Sequence, residues 1–434
     1  MSSTYLTRTH GTPTNAKKHT FSVWVKLSGD TTDHDYMFGI YNNSNDRSNY
    51  YVTSASDFTL RNEATVGGTN YRYFYTNRKF RDCNAWYNII VAVDTTQATE
   101  SDRVKVYVNG VQETSFSTTL YPSQNSDDLM NSSGSTVYVG QRGGSYGYLD
   151  GSMSHMHFID GTAYDASAFG ETDATTGEWK IKTSPSVTYG NNGFFILKDG
   201  NTITDSSTNS NNFSLGGGTL TKTEDCPSNV FATLNPLIYE SRSNTFSNGN
   251  LKITGGVAGD WSTHYGVSTL GMSSGKYYVE AKITTAVGSQ AMLGIIKTSQ
   301  ALSGSLRDIG TACIDAGGRI SGGGSDFQTG LTSFASGDIA GASFDATNGT
   351  IQFYRNGSAY GNAISSIASD TYYFATNSYD TGAVVEFNFG NGYFGTTAVA
   401  TNSGNGYAGA EGSSIFNYQP PTGYTALSTK GLNL

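Results

Sequence analysis

Two carboxylates about 5 Å apart, as alternate residues on one strand face, would serve a retaining glycosidase. Glu171-Thr-Asp173 has that spacing. It follows an apolar strand in a polar stretch, with no third acid at 175, and reads as a turn. Glu280 and Glu386 stand alone on what reads as the solvent face of their strands. His155 and His157 alternate along one strand, as two metal ligands would, but the sequence nominates no third ligand, so a packed or interface strand is the expectation. Gly322-Gly-Gly324 lacks the Lys-Ser/Thr of a phosphate loop. Cys83, Cys226 and Cys313 are odd in number, far apart and without zinc or redox spacing. Asp150 is a loop acid of the kind calcium uses, although Asp and Asn in turns mostly serve the backbone. These residues make no catalytic set and imply no metal or cofactor. The chain is expected not to be an enzyme.

Binding has more support. Tyr and Trp offer a flat apolar face with a polar tip, suited to stacking on sugar rings or on another protein. They gather in three loops: Tyr146 and Tyr148 in Gly144–Tyr148, Trp261, His264 and Tyr265 in Asp260–Tyr265, and Tyr379 with Asp380 in Asn377–Thr381. Loops on a rigid scaffold are where recognition residues concentrate. These seven residues are the predicted ligand contacts, against the alternative that the rings pack on their own domain or between subunits.

The scaffold reads as strands throughout. Of 434 residues only 14% are charged, while Gly (53) and Tyr (29) abound. Asn-Gly pairs at 109, 192, 248, 348, 356, 391 and 405 mark tight turns, and no helical period persists. Phe21, Val23, Val25 and Leu27 alternate with Ser22, Trp24 and Lys26, predicting a strand with one buried face. Further strands are expected at 36–41, 71–75, 86–94, 103–111, 136–140, 151–160, 192–198, 276–283, 291–296, 337–361 and 383–390. A net charge of −9 argues against nucleic acid and anionic membranes as partners. No run approaches the roughly 20 apolar residues of a membrane span. Met1–Arg8 lacks a signal-peptide core, so synthesis in a cytoplasm is expected.

The Phe-x-Val-Trp-Val strand, Trp86 leading an apolar strand, the Val-Tyr-Val-Asn-Gly hairpin and the closing Ile159-Asp-Gly161 together resemble the laminin-G-like, concanavalin A-like sandwich family. Gly275-Lys-Tyr-Tyr-Val-Glu280, Gly337-Asp-Ile-Ala-Gly341, Phe353-Tyr-Arg-Asn-Gly357 and Asn388-Phe-Gly390 resemble a SPRY domain, which usually carries a larger apolar residue where this chain has Ala340. Phe158–Gly161 followed by Phe169–Asp173, and the closing Phe416–Leu427, resemble tail-fibre-like proteins of marine bacteriophages. The resemblances imply an all-β chain of two antiparallel sandwiches: residues 1–165, a connector at 166–235 packed on the first domain with flexible joints at Gly216–Gly218 and Cys226–Asn229, and residues 236–434. They further imply a virion protein, made in the host cytoplasm, acting as a tail-fibre or appendage subunit that binds host surface glycan or protein. Its other partners would be tail or capsid proteins and copies of itself, a trimer being the form expected of a fibre component. Two rivals stand beside this reading: a capsid-decorating or architectural subunit without receptor binding, and a host-polysaccharide depolymerase.

Overall fold

The computed structural model describes residues 3–29, 34–53, 57–144, 147–198, 202–238, 243–256, 265–286, 290–399 and 406–434. The chain divides into two compact units, Met1–Leu220 and Thr221–Leu434. The predicted connector is therefore not one piece. Its residues 166–220 belong to the first unit. Its last residues join the second, where Phe231 bridges Ser428 and Leu234 bridges Ser268.

Among the described residues, the first unit packs an eight-stranded antiparallel sheet on a six-stranded one. The larger sheet runs Phe116–Leu120, Thr69–Lys79, Thr59–Val66, Asp46–Val52, Asp35–Asn43, Thr136–Val139, Tyr5–Thr9, Ser214–Gly217. The smaller runs Phe194–Ile196, Gly151–Asp160, Lys18–Leu27, Trp86–Asp94, Val104–Val108, Val111–Glu113. Phe21, Val23 and Val25 meet Met37, Phe38, Ile40 and Phe74 between the sheets. Full burial of each such side chain contributes about 1.5–3 kcal/mol. The Asn109-Gly110 turn has both residues at positive φ (48° and 79°), the hairpin geometry that an Asn-Gly pair permits.

Lys18–Leu27 is buried along nearly its whole length, not on one face, with Trp24 only 5% exposed and Lys26 4%. It lies inside its sheet, and the segment from Tyr164 to Tyr189 covers that sheet's outer side, where Ile90, Ile159, Phe169 and Trp179 pack together. Gly216–Gly218 is likewise not a joint. Ser214–Gly217 is a strand paired with Tyr5–Thr7, and its glycines are required because a Cβ at Gly216 would stand 2.2 Å from the Tyr5 ring. Cys226–Asn229 closes on itself through two backbone hydrogen bonds, 3.2 and 3.0 Å, as a tight turn. All three cysteines are free thiols.

The second unit repeats the plan. Its larger sheet runs Thr245–Ser247, Lys252–Thr254, Val384–Asn388, Lys276–Thr285, Ile339–Asp345, Thr350–Arg355, Ser358–Ile364, and Thr425–Ala426 lies parallel beside Lys276–Thr285. Its smaller sheet runs Tyr265–Val267, Tyr372–Ser378, Gln290–Lys297, Ala312–Asp315, Ile320–Gly322, Ser325–Gln328. Here one expectation fails outright. Glu280 points away from the core, as its register requires, yet is 0% exposed, because the C-terminal segment lies over it. Its carboxylate accepts the backbone N–H groups of Asn417 and Tyr418 (both 2.8 Å), Asn388 Nδ2 (3.2 Å) and the Tyr278 hydroxyl (3.3 Å). Burial pushes this carboxyl up to about 7 in spite of the four donors.

Candidate binding face

A sandwich has two outer sheet faces, so the two units present four. The smaller sheet of the first unit is covered by residues 164–189, as described. In the second unit, the short helix Leu306–Ile309 seals Ile296, Cys313 and Ala375. The C-terminal segment brings Phe416 and Ala426 onto Tyr278, with Phe231 beside them. The larger sheet of the first unit differs. Its outward residues include several tyrosines: Tyr36 and Tyr51 are buried, as is Asn49, whereas Tyr73, Tyr75 and Tyr138 are half-buried.

Register sets these residues in two rows that cross the strands. The first is Tyr36–Tyr51–Arg61–Tyr75, each paired with the next on a neighbouring strand. The Tyr36 and Tyr51 rings stack at 4.5 Å, and the Arg61 guanidinium lies 4.3 Å from the Tyr75 centroid. The second row is Thr7–Tyr138–Gly39–Asn49–Glu63–Tyr73. Glu63 ties the rows together by accepting from the Tyr75 hydroxyl at 2.6 Å and bonding the Tyr51 hydroxyl. Burial, then the bond to Glu63, raises the Tyr75 phenol, and burial and the Glu63 charge do the same for Tyr51. Both hydroxyls therefore remain protonated donors at neutral pH.

A glycine-rich loop lies flush on one end of this face. A Cβ at Gly143 would meet Tyr41 at 2.6 Å, and one at Gly147 would meet the Tyr36 ring at 2.6 Å; both glycines have positive φ. Tyr148, on this loop, is half-buried with its ring 6.2 Å from Tyr5, which in turn lies 6.3 Å from Tyr138. Arg142 stands 5.5 Å from the Tyr41 ring.

The other predicted contacts fare differently. Tyr146, Trp261 and His264 lie outside the described residues. Tyr265 is a strand residue, 3% exposed, whose hydroxyl bonds the Gly304 carbonyl, so it packs within its own unit. Tyr379 and Asp380 are half-buried on the turn after Tyr372–Ser378, where the Asp380 N–H donates to Ser378 Oγ at 3.2 Å. Beside this turn is a concavity of water size lined by Asn244, Ile253, Asn377, Ser378 and Val385. The structure thus brings Tyr148 to the tyrosine face and leaves Tyr379 and Asp380 on the second unit.

The residues weighed for chemistry have structural roles. Asp173 accepts the N–H groups of Thr175 and Thr176 (2.8 Å each) and pairs with Lys180, a turn acid held well below the usual carboxylate range by those bonds. Glu386 accepts from the Thr284 hydroxyl at 3.0 Å. His155 sits at a bulge with positive φ, and His157 is stacked 3.9 Å from Phe195 with Nδ1 3.0 Å from the Tyr189 hydroxyl. Among the described residues no cluster of His, Cys, Asp or Glu could hold a metal ion.

Comparison with known families separates the units. Residues 1–167 match the model of the concanavalin A-like lectin/glucanases superfamily in its laminin-G form, and residues 276–392 match the SPRY domain model. The chain carries a laminin-G/concanavalin A-like domain and a SPRY domain. No curated protein matches it. Similar solved structures include the SPRY domain of human HERC1 (21% identity, 34% of this chain and 92% of that one, TM-score 0.30) and a heptameric SAP-like pentraxin from Limulus polyphemus (20%, 38% and 72%, TM-score 0.28). The TRIM65 PSpry domain is a third (14%, 36% and 88%, TM-score 0.29). Both domains are antiparallel β-sandwiches, as the sequence predicts. The tyrosine rows belong to the laminin-G-like domain, and Tyr379 and Asp380 to the SPRY domain.

Strands Asp46–Val52 and Thr59–Val66, which carry the centre of the tyrosine face, are absent from the sequence reading. Ser48-Asn-Tyr-Tyr51 and Arg61-Asn-Glu63 do not alternate apolar with polar, because buried Ser48 and Asn62 face inward. The legible signal was Tyr71-Arg-Tyr-Phe-Tyr75: with Phe74 in the core, Tyr73 and Tyr75 must face out.

Proposed function

We propose that this chain is a non-enzymatic recognition protein that binds surface glycan through the tyrosine face of its laminin-G-like domain. The carrying observation is that this sheet face keeps half-exposed tyrosine rings in register with an arginine and a carboxylate. Aromatic rings stack on the apolar side of a pyranose, while Glu63 and Arg61 supply hydrogen bonds at its edge. The lectin-type family match favours the same reading. The setting that fits is a bacteriophage virion, as a tail-fibre or appendage subunit attaching to a host cell, where many copies convert weak contacts into firm attachment through effective concentration. The motifs Phe158–Gly161 and Phe416–Leu427 support that setting. Binding of labelled full-length chain to bacterial cells and to their purified surface glycans tests the function, with Tyr75→Ala as the comparison. Loss of attachment in the variant is expected. Equal attachment by both chains would overturn the assignment to this face, and microscopy of particles lacking the protein at the tail or capsid would overturn the setting.

A further inference from the structure

The Asn-Gly pairs that mark turns also carry a reactivity. The backbone nitrogen of the residue after an asparagine can attack the side-chain amide, and glycine, with no Cβ in the way, permits this best. The fold decides which pairs react, because the attack needs an asparagine side chain free to swing onto the next peptide. Asn405-Gly406 lies outside the described residues, and the six other pairs differ sharply. Asn192 and Asn391 are 0% and 1% exposed. Asn109 Oδ1 accepts the Asn88 N–H at 2.8 Å, and its glycine lies under the Trp179 ring, which a Cβ at Gly110 would meet at 2.3 Å. Asn356 repeats the device in the second unit. Its Oδ1 accepts the Ile339 N–H at 2.8 Å, its Nδ2 donates to Asp338 at 2.7 Å, and the Tyr418 ring covers Gly357. Asn348 Nδ2 donates to Asp345 at 2.8 Å. Each such bond lowers the reactive population by about three- to tenfold.

Asn248 has none of these restraints. It is half-buried, and its side chain bonds none of the described residues. It opens the turn between Thr245–Ser247 and Lys252–Thr254, closed by a long bond from the Leu251 N–H to the Asn248 carbonyl at 3.4 Å. Asn248, Gly249 and Asn250 are all left-handed (φ 54°, 63° and 62°). Thr245–Ser247 is the edge of its sheet, the kind of segment that opens locally. We propose that Asn248-Gly249 is a site of self-modification, where the chain converts its own asparagine to aspartate and isoaspartate through a cyclic imide. The Gly249 N–H gives its proton to hydroxide, its nitrogen bonds Asn248 Cγ, and the amide C–N bond breaks to release ammonia. Water then opens the imide at either carbonyl. The product carboxylate meets another, because a Cβ at Gly395 would stand 2.9 Å from Asn248 Nδ2 and 2.5 Å from Glu386 Oε1. Like charges sharing that space loosen the edge hairpin.

The test is incubation of the full chain at mildly alkaline pH, followed over weeks by peptide mapping. Mass spectrometry counts each conversion, and electron-transfer fragmentation separates aspartate from isoaspartate. A sample held unfolded in guanidinium chloride gives the rates that sequence alone sets, and there all the pairs should convert comparably. In the folded chain Asn248 should convert at least about tenfold faster than Asn109, Asn348 or Asn356. Asn248→Asp, its fold checked by near-ultraviolet circular dichroism, should show raised hydrogen exchange at 245–254. No conversion at Asn248, or equal rates at Asn109, Asn348 or Asn356, would overturn the assignment of the site. Unchanged exchange in Asn248→Asp would overturn the loosening of the hairpin. Neither result bears on what the tyrosine face binds.

Discussion

Glu280 gives the sharpest test of the energetics. Its carboxyl rises from 4.5 to about 7 on folding, first because burial penalises the charge. Between those values the folded chain holds a proton that the unfolded chain has released. The group's stabilising contribution is therefore complete below pH 4.5 and lost as pH climbs through 7. A shift of this size corresponds to about 3 kcal/mol. The neutral acid fits the site because the Tyr278 hydroxyl, 3.3 Å away, can turn to accept its proton while the amides of Asn417 and Tyr418 keep their acceptors. Glu280→Gln should flatten the pH dependence of the SPRY unit between 4.5 and 7. Glu280→Ala should cost roughly 3–6 kcal/mol, since two backbone N–H groups and Asn388 Nδ2 lose a buried acceptor. Amide hydrogen exchange at Asn417 and Tyr418, with urea unfolding of the full chain, reads both effects. The difference between wild type and Glu280→Gln isolates this group from every other that titrates in the range. Parallel pH profiles in the two chains would refute the reasoning. So would a Glu280→Ala cost below about 1 kcal/mol, the least that even one orphaned buried donor should exact.

The laminin-G-like unit should respond to acid in the opposite sense: burial lowers His10 to about 3 and His19 to about 4, so stability present above pH 6.5 should drain by a few kcal/mol as pH falls toward those values, visible as an acid-labile unfolding transition. Asp128→Asn, which strands the fully buried Arg72 guanidinium, should cost about 3–5 kcal/mol by chemical denaturation, whereas replacing both partners with apolar residues of similar size should cost much less. Gly147→Ala should lift the loop from Tyr36, through both the positive φ and the contact with that ring, and should raise hydrogen exchange at 142–148 while leaving the unit folded.

How much was legible follows from which forces act locally. Alternation at Phe21–Leu27 and the Asn-Gly turns at 109 and 356 report a two-residue period and left-handed backbone, so those strands and hairpins could be read directly. Trp24 and Glu280 misled because a sheet face that points outward is not thereby wet, and nothing in the strand itself shows that residues 164–189 or the C-terminal segment will lie on it. Gly216 looked like slack because its reason is the Tyr5 ring, some 210 positions away. The centre of the tyrosine face was hidden for a related cause. Its inward residues include Ser48, Asn62 and Arg72, polar groups that erase the apolar signature of a strand, and the Arg72 guanidinium is held inside by Asp128 and Ser48, far away in the chain.

In each unit an early strand is completed by a late one: Tyr5–Thr9 by Ser214–Gly217, and Lys276–Thr285 by Thr425–Ala426. During synthesis, each large sheet must therefore wait with an open flank until its closing residues have emerged from the ribosome. Such distant pairings slow assembly. In the interval Leu6 and Tyr278, both sealed in the finished protein, would be available to neighbouring nascent chains, so yield in a heterologous host should depend on chaperone supply more than on final stability.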